Sequence, residues 1–232
     1  MSSLFSLFIY KPILNLTVVL YATIGFHDLG IAIIAMTILV RAALLPLSIR
    51  TARSQKAMAE LAPHIEKLKE THKGNTTAQS EAVMALYREK GVSPLAGCLP
   101  LLIQLPILIG VYQVFLKIFR PETLNLLYSF IPHPGEISHI MLGLLDISAP
   151  SPVLAVIAGA AQFFQARAAM AQQAASPQAA AIGKQMMYML PVMIVVISWS
   201  LPAGLALYWI TTSLWSIGEQ LYLRRSSGIL AK

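Results

Sequence analysis

The chain has 232 residues, of which 56% are hydrophobic and 12% charged, and a formal net charge of +7. Soluble domains carry about 25% charged residues, so a soluble globular domain is excluded and an integral membrane protein is expected. The single cysteine, Cys98, excludes an intramolecular disulfide framework and a cysteine-based metal cluster within one chain. The positive charge sits in a few polar islands, so no direct nucleic-acid recognition is expected.

Residues 1–27 open the chain. The apolar run Leu4 to Ile24 is interrupted by Lys11, Pro12 and Asn15, and no A-x-A-like cleavage site follows, so no secretory signal is expected. Its aromatic-rich start and Lys11-Pro12 break predict a helix lying at the outer interface. The first span falls in 28–50, with its apolar stretch at Ile31–Ile49; about 20 such residues cross a ~30 Å hydrocarbon core.

Residues 51–93 read as a polar helical hairpin. Leu61, Ile65 and Leu68 mark one helical stripe, Lys73-Gly74-Asn75 breaks it, and Thr76 or Thr77 can cap a second helix. Val83, Leu86 and Tyr87 give that helix an apolar side, and Gly91 and Pro94 end it. The second span occupies 94–118 (Leu95–Leu116). Its Pro100 and Pro106 are tolerable where neighbouring helices satisfy the freed carbonyls.

An external loop, 119–151, leads to the third span at 152–167 (Val153–Ala166). A loop follows at 168–185, containing the low-complexity linker AQQAASPQAAA at 171–181. The fourth span is 186–201. A tight Pro202-Ala203-Gly204 turn joins it to the fifth, 203–223, and 224–232 is a short basic tail. Spans three and four are short, roughly 21–24 Å at 1.5 Å per residue. Unless they extend further, the bilayer thins there or water reaches in. The expected fold is an all-α integral membrane protein: a core of five transmembrane helices, a helical hairpin and an N-terminal interfacial helix.

Basic residues set the orientation. Arg50, Arg53, Lys56, Lys67, Lys69, Lys73, Arg88 and Lys90 follow span one; Arg167 and Lys184 follow span three; Arg224, Arg225 and Lys232 follow span five. Only Lys11, Lys117 and Arg120 lie on the other side. The N-terminus is therefore expected outside and the C-terminus in the cytoplasm.

Arg41 is the anomaly. It lies nine residues before Arg50, roughly 13 Å of helix from the cytoplasmic end, and a charge at mid-span costs from ~3 to more than 10 kcal/mol. Three solutions are open: snorkelling to the interface, pairing with Glu219 (the only acid within a span), or a water-filled polar recess. Polar groups for such a recess exist: Thr37, Gln104, Gln162, Gln165, Ser198, Ser200, Thr211, Thr212 and Ser213. Any one Ser or Thr is equally explained by back-bonding to its own helix, and each Gln by an interhelical bond. Gly110 and Gly204 are read as close-packing positions.

Side-chain catalysis finds no support, and no enzyme, cofactor or metal is expected. His27, His64, His72, His133 and His139 all lie in loops or the hairpin, and no Walker-type motif occurs. On these residues a small-anion transporter or channel using Arg41 remains an alternative, against which stand the lack of an internal repeat and of paired broken helices.

The segments TILVRAALLPL, MALYREKGVSPLAGCLPLLIQLPILIGVY and PAGLALYWI resemble the YidC family of membrane protein insertases, with its mitochondrial and chloroplast relatives. The resemblance runs from residue 5 to about 225. It implies a hydrophilic groove open to the cytoplasm and to lipid and closed on the outer side. Through it short flanks of nascent membrane proteins pass while their apolar segments leave sideways. It places the groove arginine at Arg41, the threonine one turn earlier at Thr37, and the substrate-contacting aromatic pair at Tyr208 and Trp209. The groove-lining glutamine is placed at Gln162 or Gln165, with Gln104 as a further lining residue. Phe163, Phe164 and Leu207 would belong to the apolar slide along helices three and five. Implied partners are nascent membrane proteins, the lipid bilayer of a bacterial plasma (inner) membrane, the ribosome and the secretory translocon. The large outer domain, lipobox cysteine and long basic tail of some members are not seen, which moves candidate ribosome contacts to the hairpin 52–92 and the loop 167–185.

Overall fold

A computed structural model describes residues 3–93, 99–170 and 177–229. Pro94 and Cys98, the linker residues 171–176 and Lys232 lie outside the described residues. The described chain is helical apart from one short β-hairpin. In order come α1 (Ser3–Phe5), a π-helical turn (Ser6–Tyr10), α2 (Lys11–Ala22), α3 (Leu29–Glu60), α4 (Ala62–Thr71) and α5 (Thr76–Glu89). Then follow α6 (Leu99–Lys117), α7 (Pro121–Leu124), antiparallel β1 (Ile140–Met141) and β2 (Leu145–Asp146), α8 (Pro152–Met170), α9 (Pro177–Ser198) and α10 (Ala203–Ile229).

Several helices overrun their apolar stretches. α3 continues past residue 50 to Glu60, because Arg, Ser, Gln, Lys and Ala are good or neutral helix formers. α8 and α9 reach 19 and 22 residues, about 28 and 33 Å, so neither is short as a helix. Among the described residues, α3 and α8, whose most apolar 18 residues have mean hydropathies of 2.2 and 1.4, are long and apolar enough to cross a membrane; the apolar stretches Leu102–Lys117 and Gly183–Ser198 are shorter.

The two ends of the bundle differ. One end carries the segment 118–151 and is here called the loop end; the other carries α4 and α5. Packing is concentrated at the loop end. Buried residues of α3 run from Leu29 to Thr37, with only Thr51 beyond; those of α8 are Ala155, Ala158, Gly159 and Ala161. Val111, Val114 and Phe115 of α6, Ile194 of α9 and Ala203 to Tyr208 of α10 are also buried, and on α10 the buried polar residues Thr212, Ser213 and Ser216 continue beyond them. α2 adds Ile13, Leu14, Val18, Leu20 and Tyr21 to the same cluster. Toward α4 and α5 the buried side chains of α3 and α10 are polar (Thr51, Thr212, Ser213 and Ser216) and the apolar ones are half-buried or exposed; neither α4 nor α5 has a buried residue.

Small residues make the close approaches. A Cβ on Gly159 would stand 2.3 Å from Val195 Cγ2 and 3.1 Å from the Pro191 carbonyl, so α8 meets α9 there backbone to side chain. A Cβ on Gly110 would meet Ile9 at 2.7 Å and Ile13 at 2.9 Å.

Polar ties fasten the loop over this end. Asp28 caps α3 by accepting the Ile31 amide (3.0 Å), and its other oxygen accepts the Leu142 amide (2.6 Å). Asn15, buried on α2, donates to the Leu126 carbonyl (3.5 Å) and accepts the Tyr128 amide (2.7 Å). The Tyr21 phenol accepts the Ser138 amide (3.0 Å). The start of α10 is sewn to the loop by Ala203 N–H to Ala149 O (2.9 Å) and Gly204 N–H to Ile147 O (3.0 Å).

Candidate functional site

Arg41 sits one turn past the point where the packed core ends. Met36 and Thr37 are the last buried residues of α3 before it, and Arg41 itself is half-buried. Thr37 is turned into its own helix, its hydroxyl donating to the Ile33 carbonyl at 2.7 Å. No hydrogen bond or ion pair reaches the guanidinium among the described residues, where the one ion pair within 4 Å joins Lys90 to Glu89. Its electrostatic neighbours are the Tyr208 phenol and, less strongly, the Glu219 carboxylate, both on α10. Glu219 is instead engaged by the Ser48 hydroxyl, which donates to its Oε1. The pairing of Arg41 with Glu219 considered from the sequence is thus replaced by a bond two turns further along α3.

Tyr208 is 3% exposed and accepts a hydrogen bond from Gln104 Nε2 at 2.7 Å. Arg41, Gln104 and Tyr208 therefore line one seam, between α3, α6 and α10. Gln162 and Gln165 lie on a second seam. The paired starts of α8 and α10 at Pro150 and Pro202 set these helices side by side and parallel, and the Ser213 hydroxyl contacts Gln162 Oε1 at 3.4 Å. α10 is the wall the two seams share. Gln165 Oε1 on that second seam and Trp215 Nε1, which shares the α10 face of Tyr208, are buried without a hydrogen-bond partner among the described residues. Each such orphan costs about 1–3 kcal/mol if left dry, so water or another polar group at these atoms is favoured.

The aromatic and apolar candidates separate. Trp209 is half-buried and packs against both apolar clusters. Phe163 is half-buried, its ring centroid 5.9 Å from Tyr188 and 5.8 Å from Phe164. Phe164 is 57% exposed, whereas Leu207 is buried in the core with α2, α3 and α6. Sequence reasoning missed Ser48. Ser48 could have been found, because it stands seven residues, two turns, from Arg41 and so shares its face.

These features define an integral membrane helix bundle, tightly packed at one end and polar inside at the other. The description "60Kd inner membrane protein" belongs to the family profile that matches residues 19–228. The Fusobacterium nucleatum "Membrane protein insertase YidC" is 35% identical over 198 residues, which are 85% of this chain and 87% of that one. "Membrane protein insertase MisCA" of Bacillus subtilis is 39% identical over 200 residues, 84% of this chain and 70% of that one. A solved structure, "Active YidC insertase crystal structure with the first transmembrane domain resolved", superposes with a TM-score of 0.56 at 30% identity. That match covers 86% of this chain but 45% of the crystallised one. The chain belongs to the 60Kd inner membrane protein family.

Proposed function

We propose that this chain is a membrane protein insertase, as its relatives are named, working through a recess that opens at the end carrying α4 and α5. In this reading α3, α6, α8, α9 and α10 are five spans, the α4–α5 end is cytoplasmic, and the N-terminus and the loop 118–151 lie outside. The carrying observation is the asymmetry of burial. On α3 the continuous run of buried residues stops one turn before Arg41, and among the described residues no carboxylate comes within ion-pairing distance of it. A permanent charge at that depth needs water or a polar guest, and a loosely packed half supplies room for either.

A short acidic or polar flank enters from the cytoplasmic end. Arg41 attracts it in surroundings where charges act more strongly than in water. Gln104, Tyr208, Gln162 and Gln165 offer hydrogen bonds along both seams, with Thr37 and Trp209 at the deep end. The adjoining apolar segment meanwhile passes into lipid beside Phe163 and Phe164, with Leu207 bracing the wall from within. Burying that segment releases ~25 cal/mol per Å² of apolar area, which outweighs passing a few polar groups across the shortened path. No bond is made or broken, and this reading assigns no catalytic residue. Ribosome and translocon contacts would fall on α4, α5 and the segment 167–185.

Reconstituted vesicles test the site. Arg41→Ala should lower insertion of a substrate with an acidic flank about tenfold, or about 1.4 kcal/mol, and that of a neutral-flank substrate much less. Equal insertion of both by the variant would refute attraction by Arg41. Crosslinking from positions 37, 41, 162 and 208 to a stalled nascent chain should label the flank rather than the apolar segment.

A further inference from the structure

We propose that Glu219, held by Ser48 at the cytoplasmic mouth of the recess, sorts incoming flanks by charge before they reach Arg41. The inference rests on the insertase reading above and adds a selectivity element to it.

Glu219 is the single carboxylate in the five spans once the first is taken as its apolar stretch Ile31–Ile49. Arg41 and Ser48 are seven residues apart on α3, and Tyr208 and Glu219 eleven apart on α10. These separations are about two and three helical turns, so each pair shares a face, with Ser48 roughly 10 Å nearer the cytoplasm than Arg41. The two faces meet, because Ser48 bonds Glu219 and Arg41 senses both Tyr208 and Glu219. One seam thus carries a positive group deep inside and a negative group at its entrance.

Ser48 keeps these charges apart. Its hydroxyl occupies Oε1 of Glu219, while a carboxylate has about four lone-pair positions, so the second oxygen remains able to meet a guest. Beside it, a Cβ added to Gly218 would touch nothing within 4 Å, so α10 has open space next to Glu219. Arg50, Arg53 and Arg225 beyond the mouth are solvent-exposed or nearly so, and their fields are screened within about 8 Å at physiological salt. Glu219 is therefore the first poorly screened charge an entering flank meets. It repels acidic flanks, favours basic ones and leaves neutral ones unaffected.

Two substitutions should act in opposite directions. Glu219→Gln removes the repulsion and raises insertion of acidic flanks. Ser48→Ala releases the carboxylate to turn toward Arg41, masks that charge and lowers insertion of the same flanks. General loss of packing cannot give opposite signs.

The full chain, reconstituted in phosphatidylethanolamine–phosphatidylglycerol vesicles, would be given one single-span substrate whose flank carries two Asp, two Asn or two Lys. Expected for Glu219→Gln is an Asp-to-Asn insertion ratio about threefold above the unmodified protein and a Lys-to-Asn ratio below it; Ser48→Ala should lower the Asp-to-Asn ratio. A second readout needs no substrate. With Cys98→Ala and Leu45→Cys, the thiol lies between Arg41 and Ser48, and anionic and cationic methanethiosulfonate reagents of similar size are compared. Glu219→Gln should raise the anionic-to-cationic rate ratio about threefold. Unchanged thiol and flank ratios overturn the role of Glu219 while leaving the insertase intact. Insertion no better than in protein-free vesicles, for every flank, overturns the insertase reading and this proposal with it.

Discussion

Asn15 shows how much one buried amide can organise. It sits on α2 and bonds the backbone at Leu126 and Tyr128, so a side chain near the N-terminus holds a loop more than a hundred residues away. Asn15→Ala leaves an amide and a carbonyl without partners, and the expected loss is about 1–3 kcal/mol. Thermal unfolding in detergent should show it, with faster hydrogen exchange at the Tyr128 amide. Arg41 illustrates the opposite condition, a charged group given neighbours but no bonded partner. The depth of that charge was legible from Ile31–Ile49. Its neighbours were not: Tyr208 and Glu219 are far away in sequence, and the Gln104–Tyr208 bond joins residues 104 positions apart. Thr37 bonds its own helix, which its residue type alone allows.

Helix contacts depend on a few small side chains. Ala155, Ala158, Gly159 and Ala161 are the buried residues of α8, and they let α9 and α10 approach its loop-end half. Gly159→Ala would press on Val195 and the Pro191 carbonyl, and overpacking of this kind costs about 1–3 kcal/mol. A denaturation cycle with Val195→Ala should recover part of that loss, because the closest clash is with its side chain. α4 and α5 behave differently. Their amphipathic stripes were readable from Leu61, Ile65, Leu68, Val83, Leu86 and Tyr87, yet neither helix has a fully buried residue. The stripe indicates a helix face; it does not say what covers it.

At the scale of the whole molecule, the structure is a bundle closed at one end. The loop, α2 and the loop-end halves of the helices form one apolar cluster, while α4 and α5 hang on a continuation of α3. Deleting residues 55–90 should therefore change the stability of the remaining bundle by no more than about 0.5 kcal/mol, since no core side chain other than Leu61 is lost. Insertion should fall if the hairpin recruits substrates. A stable deletion variant with full insertion would reduce the hairpin to a solvated arm.

Composition and the spacing of apolar runs determined the class of protein, the rough extents of its helices and the presence of a charge at mid-span, because these depend only on local hydropathy and helical periodicity. Basic islands suggested an orientation for the same local reason. Which end packs, which polar groups meet Arg41, and that Leu207 is buried in the core were decided by the tertiary structure. Those outcomes depend on how closely helices distant in sequence approach, and that is set by Gly110, Gly159 and the loop ties acting together rather than by any one segment.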